Sequence, residues 1–274
     1  MDFASCYKEL GFTEAPFRIT PDTSFFFPGN RHTAALKHLQ FGLISGGFTL
    51  LTGEIGLGKT LLCRQLLKTA PEGTRAIYIF NPHLDLIDLL KLIYHNLTGI
   101  HMDSSSYDEL LREINISLVK LSEEGKKVAV VIDEAHRLGP EVLEGLRLLS
   151  NLETEKEKLI YLILSGQPEL DRTLALRRMR PLAQRISIRY RLKPFRMRET
   201  VKYINHRVKV ASNYNSSLSF TKMALRIAHY SSGGVPRRIN QICDRALLAA
   251  FSIGKMEVGA WTVWQAAREV KRGV

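Results

Sequence analysis

The chain has 274 residues, with 39 Lys and Arg against 27 Asp and Glu, a formal net charge of +12. Hydrophobic residues make up 45% and charged residues 24%, a globular balance that excludes disordered and fibrous classes and allows one large or two smaller domains. The positive charge is uneven: residues 1–170 carry 17 basic and 22 acidic side chains, a net of −5, while 171–274 carry 22 and 5, a net of +17.

In chain order, the first 30 residues (GFTEAPF, ITPDTSFFFPGN) predict an extended lead-in, followed by an amphipathic helix over 33–44. A buried strand is expected over 48–52, then a glycine loop and a helix over 60–69. Another strand spans 76–80, stopped by Asn81-Pro82, and helices follow over 84–97 and 107–121. Strand 128–132 leads to helix 140–151 with Pro140 at its start. Strand 159–164, a short helix over 168–177 and a strand over 186–190 complete the pattern. β-Branched apolar strands alternating with helices predict a parallel sheet covered on both faces. After Pro194 only helices are expected, over 199–212, 221–230, 236–252 and 258–268. The chain thus divides into an α/β domain, 1–193, and a small all-helical domain, 194–274.

No run approaches the roughly 20 apolar residues needed to span a bilayer, and the start MDFASCYKEL lacks the apolar core of a secretory signal. Cys6, Cys63 and Cys243 have neither disulfide nor zinc spacing, so reduced thiols in a cytoplasm are expected.

Residues 53–60 read GEIGLGKT, a full G-x-x-x-x-G-K-[ST] phosphate loop between a strand and a helix. Gly53, Glu54, Ile55, Gly56, Leu57 and Gly58 supply a curled backbone whose N–H groups face phosphate oxygens. Lys59, Thr60 and Leu61 open the helix, whose N-terminus favours the same anion. Lys59 suits the β- and γ-phosphates and Thr60 suits Mg²⁺. In VAVVIDEAH, Asp133 leaves the C-terminal end of a buried strand, where ligands bind in open α/β sheets. It suits Mg²⁺, and Glu134 suits a general base for water attacking the γ-phosphate. The strand between the two motifs points to an NTPase of the additional-strand type. The absence of an Asn-Lys-x-Asp motif favours ATP over GTP.

Three weaker signals follow. Ser165 or Gln167, at the end of strand 159–164, could hydrogen-bond the γ-phosphate or the water, or could belong to an ordinary turn. The segment 177–191 holds six arginines; Arg185 first and Arg180 second are candidates for a charge inserted into a neighbouring copy's site, the alternative being a solvated or DNA-facing edge. Arg237 opens a helix after Gly233-Gly234 and Pro236, where a cation suggests an anionic ligand, the alternative being an exposed surface arginine.

With both phosphate-site motifs, a strand-end polar group, an arginine-rich stretch and an arginine at the start of a C-terminal helix, the chain resembles AAA+ ATPases. FTEAPFRITPD, LTGEIGLGKT, VVIDEAHRL, LRLLSNLETEKEKLI, SGQPEL, LAQRI and GGVPRRINQICDRALLAA are similar to the ATPase domain of the general secretion pathway protein A (ExeA) family. Within that family, the sequence resembles the stand-alone form serving mannose-sensitive haemagglutinin (MSHA) pilus biogenesis. The resemblance implies an α/β P-loop fold with a helical lid, ATP and Mg²⁺ as ligands, and ATP-dependent, ring-like homo-oligomers. It also implies work for a type IV pilus or a type II secretion apparatus. Family members acting in secretion add a transmembrane helix and a peptidoglycan-binding domain; neither is seen in this sequence, so contact with the inner membrane is expected through a partner. By resemblance Lys59, Thr60, Asp133 and Glu134 bind and hydrolyse nucleotide. Gln167 or Ser165 is the first sensor, Arg237 the second and Arg185 the finger, and Phe17 and Ile19 border the adenine. Two other functions fit the residues: a DNA-binding regulator akin to transposition target-selection ATPases, using the basic C-terminal region, and a nucleotide-gated scaffold with negligible turnover.

Overall fold

The computed structural model describes residues 7–80, 84–104, 106–153, 158–216 and 218–273; Cys6 and the Asn81-Pro82 stop lie outside the described residues. The chain forms two compact units. The first comprises residues 34–54 and 62–192. The second comprises the lead-in up to Thr33, Ile55–Leu61 and Lys193–Val274. The lead-in and Ile55–Leu61 group with the C-terminal helices rather than with the α/β body.

The α/β unit is built on five parallel strands: β1 (Gly47–Thr52), β2 (Thr74–Ile79), β3 (Lys127–Ile132), β4 (Ile160–Gly166) and β5 (Ile186–Arg191), in the order β2-β3-β4-β1-β5. Strand β4 is buried throughout and β3 at every residue but its first, which their uninterrupted apolar sequences require. Helix α1 (Asn30–Ser45) covers one face. It approaches so closely at Gly42 that a Cβ there would lie 2.4 Å from Thr49 Oγ1, and Tyr161 donates to Leu39 O at 3.0 Å. Helix α2 (Lys59–Lys68) follows the phosphate loop. The other face carries α3 (Leu86–Thr98), α4 (Tyr107–Glu123) and α5 (Pro140–Leu149), whose buried Leu90, Leu110 and Leu146 share a core with Leu50, Ile79, Val130 and Leu162. Helix α6 (Pro168–Leu174) follows β4.

Three departures from the expected elements stand out, the last two with local causes. Helix α1 begins three residues early. Strand β4 runs through Ser165 and Gly166, because pairing with β1 continues to Thr52↔Gly166. The arginine-rich stretch is partly helical: α7 (Arg180–Arg185) starts with Pro181 in its first turn and is anchored by buried Leu182.

In the second unit, α8 (Met197–Ala211), α9 (Lys222–Ser232), α10 (Pro236–Ser252) and α11 (Ala260–Arg272) surround a core completed by the lead-in residues Leu10, Phe12, Phe17 and Phe25. Buried Arg207 fastens the lead-in, donating to Pro16 O and to Arg18 O and lying 4.2 Å from the Phe25 ring centre. Strands β6 (Ser219–Phe220) and β7 (Glu257–Val258) pair in parallel, so residue 258 is a strand residue and not a helix start. The region after Pro194 is therefore helical apart from this small pairing. Among the described residues no helix is long and apolar enough to cross a membrane.

Candidate nucleotide site

The phosphate loop curls because Gly56 and Gly58 adopt φ of +80° and +93°, a region that L side chains enter at a cost of roughly 1–2 kcal/mol. Leu57 is buried, and its carbonyl accepts from His32 Nε2 at 2.8 Å. A carbonyl oxygen only accepts, so Nε2 carries the proton and donates, and burial lowers the pKa of His32, which favours the neutral ring. Gly56 O accepts from the backbone N–H of Arg237 at 3.1 Å, in the first turn of α10. A Cβ on Gly56 would stand 2.7 Å from Arg237 Cβ. The loop tip is thus locked between a histidine and a helix start. Lys59, Thr60 and Leu61 form the first turn of α2, with Lys59 buried and Thr60 partly so. Upstream, β1 passes into Gly53, whose N–H donates to Gly166 O at 3.2 Å. Glu54 follows it, and Ile55 is exposed.

At the end of β3 two adjacent carboxylates have different settings. Asp133 is fully buried. Tyr78 Oη donates to its Oδ2 at 2.8 Å, and its Oδ1 accepts from Ser165 Oγ at 2.7 Å and from the Glu134 N–H at 3.0 Å. Burial, with the Asp133 charge second, drives the Tyr78 pKa far upward, which keeps that hydroxyl a donor. Glu134 has φ of +56°, in the left-handed region that costs a non-glycine residue roughly 1 kcal/mol or more. This turn ends the strand and sets the side chain apart from that of Asp133. Glu134 Oε2 lies 3.5 Å from Gln167 Nε2 and 3.6 Å from His136 Nε2. Gln167 caps α6 with its own N–H directed at His136 Nδ1, 3.4 Å away.

The two first-sensor candidates therefore divide: Ser165 holds Asp133 and Gln167 meets Glu134. Arg180 and Arg185, at the two ends of α7, are exposed, as is the Arg237 side chain. Phe17 is enclosed by the core of its unit and packs edge-on to Phe220, whereas Ile19 is 53% exposed. The ring of Phe17 is thereby used in packing, and Ile19 is the lead-in candidate with an accessible apolar side chain. Sequence reasoning missed Tyr78, His32 and His136. Tyr78 has no local signal, since only the β2–β3 pairing brings it to Asp133. His136 had one: it sits three residues after Asp133, in the turn that Glu134 opens.

A family model described as an AAA domain matches residues 44–174. The chain is 42% identical over 262 residues to "General secretion pathway protein A" of Aeromonas hydrophila, covering 95% of this chain and 48% of that protein. It therefore spans about half the length of that relative. Among solved structures it resembles Cdc6p from Pyrobaculum aerophilum (TM-score 0.69, 20% identity, 91% of this chain and 71% of that one). It also resembles the Aeropyrum pernix ORC2 protein in its ADPNP–ADP complexes (0.67, 17%, 88% and 68%) and ORC1 of the same organism in complex with DNA (0.63, 19%, 89% and 65%). These three likenesses are of fold. With its phosphate-loop motif, its parallel five-stranded sheet and its long alignment to the Aeromonas protein, the chain has the fold of AAA-type P-loop NTPases and is related to General secretion pathway protein A.

Proposed function

We propose that the chain binds and hydrolyses ATP with Mg²⁺, as an ATP-dependent, ring-like homo-oligomer that supports assembly of an MSHA-like type IV pilus or a type II secretion apparatus. The observation that supports hydrolysis best is the pair at the end of β3: one carboxylate held by short hydrogen bonds, the next turned out with polar neighbours at 3.5 and 3.6 Å. In this reading the loop amides and Lys59 bind the phosphates, and Glu134 takes the proton of the attacking water. Thr60 and Asp133 offer the hard oxygen donors that suit Mg²⁺, which when bound neutralises phosphate charge. Gln167 senses the terminal phosphate, with Ser165 acting through Asp133. Arg237 adds charge from the start of α10, and Arg185, or else Arg180, acts on the nucleotide of a neighbouring copy. The likeness to the Aeromonas protein supports the envelope role, for which we infer inner-membrane components as partners and a cytoplasmic location.

DNA binding is the second reading. It is supported by the net of +17 after residue 170 and by α11, where Trp261 and Trp264 are exposed and stacked and Arg268 lies 4.7 Å from the Trp264 ring centre. Calorimetry with Mg·ATP tests the main reading: the wild type is expected to bind and Lys59→Ala to lose binding. Equal heats from both would remove the phosphate-loop assignment. Salt-sensitive binding of a labelled DNA duplex by anisotropy would move the function to the second reading.

A further inference from the structure

The contacts around His136 do not admit every proton arrangement. Two N–H groups of Gln167 face its ring: the backbone N–H toward Nδ1 at 3.4 Å and the side-chain amide nitrogen toward Nε2 at 3.0 Å. A neutral imidazole has one acceptor nitrogen, so it cannot accept both. The backbone N–H is fixed by the start of α6, whereas the Gln167 amide can turn over and present its oxygen. Nδ1 is therefore the acceptor, and the ring proton sits on Nε2. That proton has two acceptors in reach: Gln167 Oε1 after the turn, which gives up the amide's own 3.5 Å contact with Glu134, and Glu134 Oε2 itself, 3.6 Å away.

We propose that His136 is a positioning residue for hydrolysis: its Nε2–H is shared between Gln167 and Glu134 and sets which way the Glu134 carboxylate faces. When Gln167 is engaged elsewhere, the proton passes wholly to Glu134 Oε2 as a hydrogen bond, leaving Oε1 to accept from water. Glu134 needs such a partner because its backbone is held in the left-handed region while its side chain is 25% exposed, a setting that does not fix a rotamer by packing. The inference rests on the ATPase reading above and adds the residue through which Gln167 acts on the base.

Two replacements separate the ring nitrogens. Asn at 136 places a polar atom where Nδ1 was and nothing at Nε2; Gln places a donor near the Nε2 position. With steady-state hydrolysis and a fluorescent ATP analogue, His136→Gln is expected to keep kcat within about 3-fold, and His136→Asn to lower it about 10-fold or more. KM and analogue affinity should stay within about 2-fold in both, since the contact is made to the base and not to the nucleotide. A His136→Asn variant with wild-type kcat, or a His136→Gln variant no better than it, overturns the role. Imidazole ¹⁵N shifts of the wild-type chain give a readout that needs neither turnover nor a folded variant. The Nε2–H tautomer is expected for His136, and the Nδ1–H tautomer overturns the proposal whatever the activity. A wild type that binds ATP without turnover instead overturns the hydrolysis reading, and this role with it.

Discussion

Asp133 and Glu134 are neighbours in sequence and opposites in mechanics. Asp133 is fully enclosed and accepts hydrogen bonds of 2.7–3.0 Å from Tyr78, Ser165 and the Glu134 N–H. Glu134 leaves the strand through a strained backbone and meets its partners at 3.5 and 3.6 Å. A carboxylate that must hold one geometry is placed where the sheet supplies its donors. The one that, in the proposed hydrolysis, accepts a proton and releases it is placed one residue beyond, where the sheet ends.

The difference can be broken at either residue. The largest effect is expected from Glu134→Gln, which removes the proposed base and leaves the phosphate loop intact. Turnover should fall on the order of 10²–10⁴-fold in a phosphate-release assay while ATP affinity is kept. A fall in affinity equal to the fall in rate would place Glu134 in binding instead. Tyr78→Phe loosens the other carboxylate. It removes a charge-assisted hydrogen bond in a buried site, at a cost of about 1.5–3 kcal/mol in denaturant midpoint experiments. Turnover should respond less than in Glu134→Gln, because Ser165 and the Glu134 N–H still hold Oδ1.

The smallest effect concerns His32, a buried support of the phosphate loop. Its folded-state pKa lies below the ordinary value of 6.5, burial being the main cause, so the unfolded chain binds the extra proton first. Stability is therefore expected to fall as pH drops below about 6.5 and to level off below the folded-state pKa. His206 and His229 shift the same way, again through burial, and add to the slope. Thermal melts at pH 7.5 and 5.5 should show the drop, and His32→Gln should make it shallower; an unchanged slope would mean that His32 is not a source of it.

What the sequence made legible is what is local along the chain. The phosphate loop, Asp133 and Glu134 are carried by spacing within one strand–loop–helix or strand–turn, and the strand periodicity led to the parallel sheet. The rest depends on pairing between distant segments. Tyr78 reaches Asp133 because Tyr78↔Val131 pairs β2 with β3, and Ser165 reaches it because β4 continues past Ile132↔Leu164. The strand order that allows this is not the chain order. The lead-in has no periodic pattern, so nothing in it announced that Phe12, Phe17 and Phe25 complete the core of the C-terminal unit. The β6–β7 pairing is two residues long, too short to leave any alternation.

The tie between Gly56 O and the Arg237 amide joins two stretches of main chain, so replacing the arginine side chain leaves it in place. An alanine scan would record only the loss of a cation and would pass over the tether. Proline at 237 would cut it, since a helix tolerates that residue in its opening turn while losing the donor. Comparing the two substitutions separates the electrical contribution of this position from its mechanical one.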